Sequence, residues 1–210
     1  MQADEPVSYT HLVLQEIHIG SPYPRLYQVQ VPGRDGMVDL SRVLTGDIIY
    51  DNRTLQFKFA MEDGDFSRMF RKASIFLADV QGKTLDIMLD EDPDYFYRGI
   101  CTAEIEKVNC MVSTVGLTVE AEPYKYRKKE TKVDLELTAG NEVPIVLHNG
   151  RMPVFPIVTN LEPIAIVYGG SRISLSPGTH TLVWKLIPGD NPCMLTGSGK
   201  VSVKYREGEL

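Results

Sequence analysis

The chain has 210 residues, of which 43% are hydrophobic and 24% are charged, a balance typical of folded globular proteins rather than of disordered ones. Its formal net charge is −6, and the single basic run, KYRKKETK at residues 125–132, is short. Nucleic-acid binding gains most of its affinity from neutralised phosphates. We therefore expect no nucleic-acid partner and interpret the basic run as a solvated loop.

Two further patterns narrow the class of protein. No run of about 18 apolar residues occurs and the N-terminus lacks the pattern of an export signal, so we expect no membrane insertion and synthesis in the cytoplasm. The three cysteines, Cys101, Cys110 and Cys193, are odd in number and show no CxxC spacing. This argues against a disulfide framework, and the alternating run around Cys101 predicts that its thiol is buried.

Alternation of apolar and polar residues predicts antiparallel β-strands through most of the chain. The clearest runs are residues 27–31, 54–61, 85–89, 133–138, 172–176 and 201–206. Two longer alternating runs, from Tyr95 to Ile105 and from Thr114 to Glu122, predict one long hairpin with one solvent-exposed face.

One segment, residues 65–81, has helical periodicity instead. Its apolar positions recur at intervals of three and four, which predicts an amphipathic helix of about four turns covering one face of a sheet. Asp65 is placed to cap its N-terminus and Gly82 to follow its end. The predicted buried stripe consists of Phe66, Met69, Phe70, Ala73, Phe76, Leu77 and Val80.

The pattern changes near residue 128. After the basic run no helical periodicity is left, and short alternating segments are separated by Gly/Pro turns. We therefore predict a mainly β protein with two domains. Residues 1–128 form an α+β domain with one helix, and residues 129–210 form a β-sandwich.

Four acids in five residues, Asp90, Glu91, Asp92 and Asp94, are the strongest candidate for chemistry. Carboxylates at alternating positions can hold a hard cation, but Pro93 interrupts them and the glycine of a calcium loop is missing. A polar turn before the next strand accounts for them more simply, with a bound cation as the alternative. No companion base or nucleophile accompanies them, so we expect no enzymatic activity.

The remaining candidate groups are isolated. The four histidines, His11, His18, His148 and His180, stand in no metal-binding or catalytic spacing, so surface positions are expected. The string LTGSGK at residues 195–200 lacks phosphate-loop spacing and is interpreted as a turn between strands. We therefore predict no cofactor and no metal.

The order of these motifs resembles distal tail proteins, baseplate hub components of long-tailed phages that also occur in prophages. In the first domain the resemblance rests on four features: the helix at residues 65–80, the strand at 85–89, the DPDYFYRG string at 92–99 and the PYKY exit at 123–126. In the second domain it rests on HNGRMPVFPIV at residues 148–158, LSPGTHTL at 175–182 and VSVKYREGEL at 201–210.

The resemblance implies a structural protein of the virion tail tip. Residues 1–128 would form a hexameric ring that joins the tail tube protein to the tail-associated fibre or lysin protein. Residues 129–210 would form a galectin-like sandwich that docks receptor-binding proteins for host attachment.

The alternative is a carbohydrate-binding β-sandwich for host surface glycans. Its candidate contact is the single tryptophan, Trp184, in the apolar run TLVWKLI. A tryptophan in such a run is more often part of a core than a platform for a sugar ring. The sugar-binding residues of galectins are not found at their spacing.

Overall fold

The computed structural model describes residues 12–62, 65–107 and 112–210. Within these ranges the chain forms seventeen β-strands and one α-helix, which confirms the predicted mainly β class. The strands are β1 (Leu12–Ile19), β2 (Gln28–Gln30), β3 (Met37–Asp39), β4 (Arg53–Glu62), β5 (Thr84–Leu89), β6 (Asp92–Lys107), β7 (Val112–Ala121), β8 (Lys125–Arg127), β9 (Thr131–Leu137), β10 (Glu142–Asn149), β11 (Ile157–Asn160), β12 (Ile164–Tyr168), β13 (Ser171–Leu175), β14 (Gly178–Thr181), β15 (Gly189–Gly197), β16 (Gly199–Tyr205) and β17 (Gly208–Glu209), and the helix is α1 (Phe66–Val80).

The chain divides into two compact units, one of residues 1–87 and 97–123 and the other of residues 88–96 and 124–210. Strand β6 contributes its first residues to the second unit and the rest to the first. The boundary expected at residue 128 stays a prediction.

The first unit is built on an antiparallel sheet in the order β1-β4-β7-β6, with the helix as its cover. Register places one apolar row across it, in which Leu55 of β4 faces Val119 of β7, and Val119 faces Cys101 of β6. All three side chains are fully buried. The predicted hairpin of β6 and β7 is confirmed, although its tip at residues 108–111 lies outside the described residues.

Helix α1 begins where the sequence predicts. The Asp65 carboxylate accepts hydrogen bonds from the first-turn N–H groups of Ser67 and Arg68, and Gly82 takes a positive φ of 70° just past the end. Among the described side chains the buried stripe consists of Met69, Ala73, Phe76 and Val80, with Leu77 half-buried, and the predicted member Phe66 lies outside the described side chains. The prediction for Phe70 is wrong, because its ring lies 100° around the helix from Met69 and is 51% exposed.

Gly99 marks the closest approach of β6 and β7. A Cβ atom built there would lie 2.6 Å from the Ala121 Cα and from the Glu120 carbonyl oxygen. No side chain fits this position without moving backbone, so the glycine is required by space rather than by conformation.

The second unit contains two four-stranded antiparallel sheets, β10-β15-β12-β13 and β14-β11-β16-β9. Both contribute to one core, as expected of a β-sandwich. Its buried members include Leu147, Ile166, Cys193 and Leu195 from the first sheet and Val158, Leu137, Val203 and Tyr205 from the second. The string at residues 195–200 connects β15 to β16 across the two sheets, which confirms the predicted turn.

Two local predictions fail in the second unit. Asp92 and Asp94 lie within β6 rather than in a turn, because β5 turns directly at Asp90 and Glu91 into its partner strand. The basic run is largely β-strand, with only residues 128–130 outside β8 and β9. Strand formation is possible because neighbouring carboxylates neutralise several of its charges, as described below.

Candidate interaction surface

Residues 12–50 form an ordered segment with no buried side chain. It comprises β1, the small β2–β3 hairpin and the connections that lead to β4. We call this segment the N-terminal surface. Its exposed large apolar residues are Val13, Leu14, Ile17, Ile19, Tyr23, Leu26, Tyr27, Val31, Met37, Val43, Leu44 and Ile49.

Strand β1 extends the apolar row of the sheet beyond the helix. Leu14 lies opposite Phe59, and Ile17 opposite Phe57, with a register shift between Leu14 and Glu16. The shift adds one residue to β1, so apolar residues on both sides of it stay on one face. Leu14 and Ile17 are nevertheless exposed. Among the described residues no strand pairs with the outer edge of β1, which ends the sheet order.

Hydrogen bonds, rather than a buried core, hold the β2–β3 part of this segment in position. The Leu40 N–H donates to the Tyr27 carbonyl at 2.8 Å, and the Tyr27 N–H donates to the Ser41 hydroxyl at 2.7 Å. Ser41 in turn donates to the Asp39 carboxylate through its backbone and its hydroxyl, which lowers the pKa of Asp39. The surface is thus preformed, which reduces the ordering entropy that binding would cost.

The apolar area is large for an isolated chain. At about 150 Å² per large apolar side chain, the exposed fractions amount to roughly 1,000 Å². The largest apolar patch on a typical monomer is about 300–600 Å², and a stable interface takes about 800 Å² from each partner. The total includes side chains on both faces of β1, such as Val13 and Leu14, so one contact surface holds only part of it.

The face of the first sheet opposite the helix is polar. It holds a hollow of about 430 Å³ that is lined by Glu16, Lys58, Glu104 and Glu106, together with His18. Gly116 forms part of the lining, and the Glu104 side chain lies over it.

The acids that were candidates for chemistry are engaged in ion pairs or separated. The Lys125 ammonium lies 2.7 Å from the Asp92 carboxylate and over the Tyr95 ring. Among the described residues no group of three or more His, Cys, Asp or Glu side chains is arranged to hold a metal ion. The structure therefore does not bring Asp90, Asp92 and Asp94 together as cation ligands.

Trp184 lies on the edge of the second core. Its ring stacks on Tyr168 at a centroid distance of 4.3 Å, so one face of the indole is covered. Its Nε1–H is buried and has no hydrogen-bond partner within residues 12–62, 65–107 and 112–210. The Tyr168 hydroxyl donates to Asn191 at 2.7 Å, which fixes the ring beneath the indole.

The other candidate residues are dispersed. His18 is exposed, His148 pairs with Asp190 across β10 and β15 at 2.9 Å, and a ring nitrogen of His180 lies 2.7 Å from the Ser176 carbonyl. His11 and Cys110 lie outside the described residues. Cys101 and Cys193 are buried free thiols, and burial raises the pKa of Cys193 to about 11.

The features of the described residues define a class of protein. It is a mainly β protein of two units with a preformed, unburied apolar surface. No helix in residues 12–62, 65–107 and 112–210 has the length and apolarity needed to cross a membrane.

A solved structure has a similar fold. The Dit (gp 19.1) protein of phage SPP1, presented as a paradigm of the hub adsorption apparatus in phages that infect Gram-positive bacteria, matches with a TM-score of 0.66 and 15% identity. The match covers 95% of this chain and 94% of that chain. A de novo designed double-stranded β-helix matches 39% of this chain and 100% of the design, with 20% identity and a TM-score of 0.27. No protein-family model and no curated protein matches the sequence.

Proposed function

We propose that this protein is a structural component of a phage tail tip of the distal tail type. Six copies form a hub ring in the baseplate, which joins the tail tube protein to the tail-associated fibre or lysin protein. Residues 1–128 form the ring, and residues 129–210, as a galectin-like sandwich, dock receptor-binding proteins that attach the particle to its host.

One observation carries this proposal: the fold corresponds to that of a phage hub protein over 95% of the chain. The match spans residues of both units, so it is not limited to a shared sandwich. The motifs that resemble distal tail proteins suggest the same role, while no protein-family model matches the sequence.

The N-terminal surface supplies a physical reason for assembly. Exposed apolar side chains that total about 1,000 Å², and a strand edge with no partner among the described residues, are costly in an isolated chain and are stabilised by a partner. A surface on one copy that contacts a different surface on the next copy gives a closed ring when the rotation closes. Ring formation would therefore cover this segment in every copy at once.

Sedimentation velocity over a concentration series tests the proposal, together with electron microscopy of the purified protein and of assembled particles. We expect a species of six copies of the 23.6 kDa chain, with six-fold symmetry and a central channel. Isolated monomers in both the purified protein and the particles would overturn it.

The second candidate is a glycan-binding sandwich with Trp184 as a contact. The observation that favours it is the partly buried indole at the margin of the core. A glycan array on the folded wild-type protein and on Trp184→Phe tests it. Binding that is lost in the variant, while the fold is retained, would support this function. The absence of binding by the wild-type protein would reject it.

A further inference from the structure

The chain has an uneven distribution of charge. Residues 125–132 hold five basic side chains and one acidic side chain, a local charge of +4, which leaves 17 basic and 27 acidic residues, or −10, in the rest of the chain. Copies brought together in a ring would repel one another unless such opposite regions meet.

The basic residues lie on a turn that is held rigidly. We call residues 127–132 the basic turn. The Arg206 guanidinium donates to the carbonyl oxygens of Arg127 and Lys128 at 2.7 and 2.8 Å. The Lys128 N–H donates to the Asp94 carbonyl at 2.7 Å. The turn therefore presents its side chains from a fixed backbone, although it is exposed.

Two of these basic side chains form ion pairs within the chain, and two others form none among the described residues. Arg127 pairs with Glu207 at 3.0 Å, and Lys132 pairs with Asp134 at 2.6 Å. Lys128 and Lys129 are exposed and pair with no carboxylate in the part of the chain that the structure describes. They border a hollow of about 680 Å³, which the carboxylates of Asp94 and Glu130 also line.

The polar hollow of the first sheet carries the opposite charge. Glu16 and Glu104 have no ion-pair partner among the described residues, and Glu106 has only a 3.5 Å contact with the Thr114 hydroxyl. Lys58 is the single Lys or Arg side chain that lines it.

We propose that the basic turn of one copy docks into the polar hollow of a second copy, through Lys128 and Lys129 on one side and Glu104 and Glu106 on the other. The inference rests on the proposed ring and names a contact that would set its direction. Because the two partners differ, the contact is head-to-tail and repeats around a ring. Charge pairs of this kind select the partner and the register of the contact.

Charge reversal on each side tests the contact. The turn variant K128E/K129E and the hollow variant E104K/E106K are each compared with the control K83E/K200E, which makes the same change in net charge as the turn variant at two exposed lysines elsewhere. At low salt we expect each of the two variants alone to need at least a tenfold higher concentration for half-assembly. The control should stay within threefold of wild type.

Mixing the two variants gives the sharper result. The acidic turn of K128E/K129E fits the basic hollow of E104K/E106K, and the unchanged basic turn of E104K/E106K fits the unchanged acidic hollow of K128E/K129E. An equimolar mixture should therefore assemble at close to the wild-type concentration. Native mass spectrometry should find the two chains in equal numbers within each particle. Circular dichroism melts establish that each variant is folded, and if E104K/E106K does not fold, Glu16→Lys serves as the hollow variant.

The outcomes separate this inference from the proposed function. A wild-type ring whose assembly is unchanged in both variants, or a mixture that fails to recover assembly, would overturn the docking contact and leave the ring standing. A wild-type protein that stays monomeric, alone and in particles, would overturn the ring itself.

Discussion

Replacement of Leu44 by glutamate tests whether the N-terminal surface is covered in the assembly. Leu44 is 97% exposed, so the folded monomer gains almost nothing from its side chain. An exposed substitution of this kind changes stability by about 0.5 kcal/mol or less. We expect the melting temperature of the monomer to stay within about 2 °C of wild type.

The effect on assembly should be much larger. Full burial of a leucine contributes about 1.5–3 kcal/mol, and a carboxylate in its place adds a cost of desolvation. A loss of about 3 kcal/mol per contact corresponds to a roughly 100-fold higher concentration for half-assembly, since about 1.4 kcal/mol is a factor of ten.

Mass photometry over a dilution series measures this concentration. The matched control is Leu161→Glu, a leucine that is 67% exposed and lies outside the N-terminal surface. It should change half-assembly less than threefold. If Leu44→Glu remained folded and assembled like wild type, the reasoning that this segment is an interface would be refuted.

Three further predictions concern the folded chain. Asn191→Ala should lower the free energy of unfolding by about 3–5 kcal/mol, because the buried amide donates to three carbonyl oxygens and accepts from two donors, one of them the Tyr168 hydroxyl. Urea denaturation followed by tryptophan fluorescence measures it, and a loss below about 1 kcal/mol would contradict the hydrogen-bond assignment. Gly99→Ala should cost about 2 kcal/mol or more from backbone overlap with Ala121, and a melting temperature equal to wild type would show that the strands can separate. The pKa of Cys193 is raised from 9 to about 11, so stability from this thiol is complete below pH 9 and is lost as the pH rises towards 11. Cys193→Ala should flatten that part of the pH–stability curve, and an unchanged slope would assign it to other groups.

Regular patterns made much of the fold predictable. Strict alternation around Leu55 and Val119 is enough to identify strands, since their register simply extends the pattern across the sheet. The helix was predictable because its cap at Asp65 and its apolar stripe agree. Phe70 was assigned wrongly, because a stripe drawn from sequence is wider than the one that contacts the sheet.

The candidate surface was not predictable in the same way. Strand β1 escapes an alternation search because the register shift after Leu14 changes the phase of its pattern, and Leu14 and Ile17 then appear on opposite faces. A change of phase within an apolar segment is the signal that could have identified it. The exposure of these side chains depends on how far the helix extends over the sheet. That extent is set by tertiary structure rather than by local sequence.

For the basic run, the composition of the sequence predicted the wrong local structure. Its composition predicts a solvated loop, but Lys125 and Arg127 lie in β8, where carboxylates distant in sequence neutralise them. Only Lys128 and Lys129 keep the character that composition suggests. The role of a charge run can therefore be assigned only when its partners distant in sequence are known.

The absence of a core beneath residues 12–50 also affects how the free chain behaves in a cell. The β2–β3 hairpin and its connections, which lack the ladder that joins β1 to β4, open at lower cost than the sheets, so proteases would cleave them first. Once covered, the same segment would be protected. If the chain assembles as proposed, limited proteolysis would distinguish assembled copies from free ones.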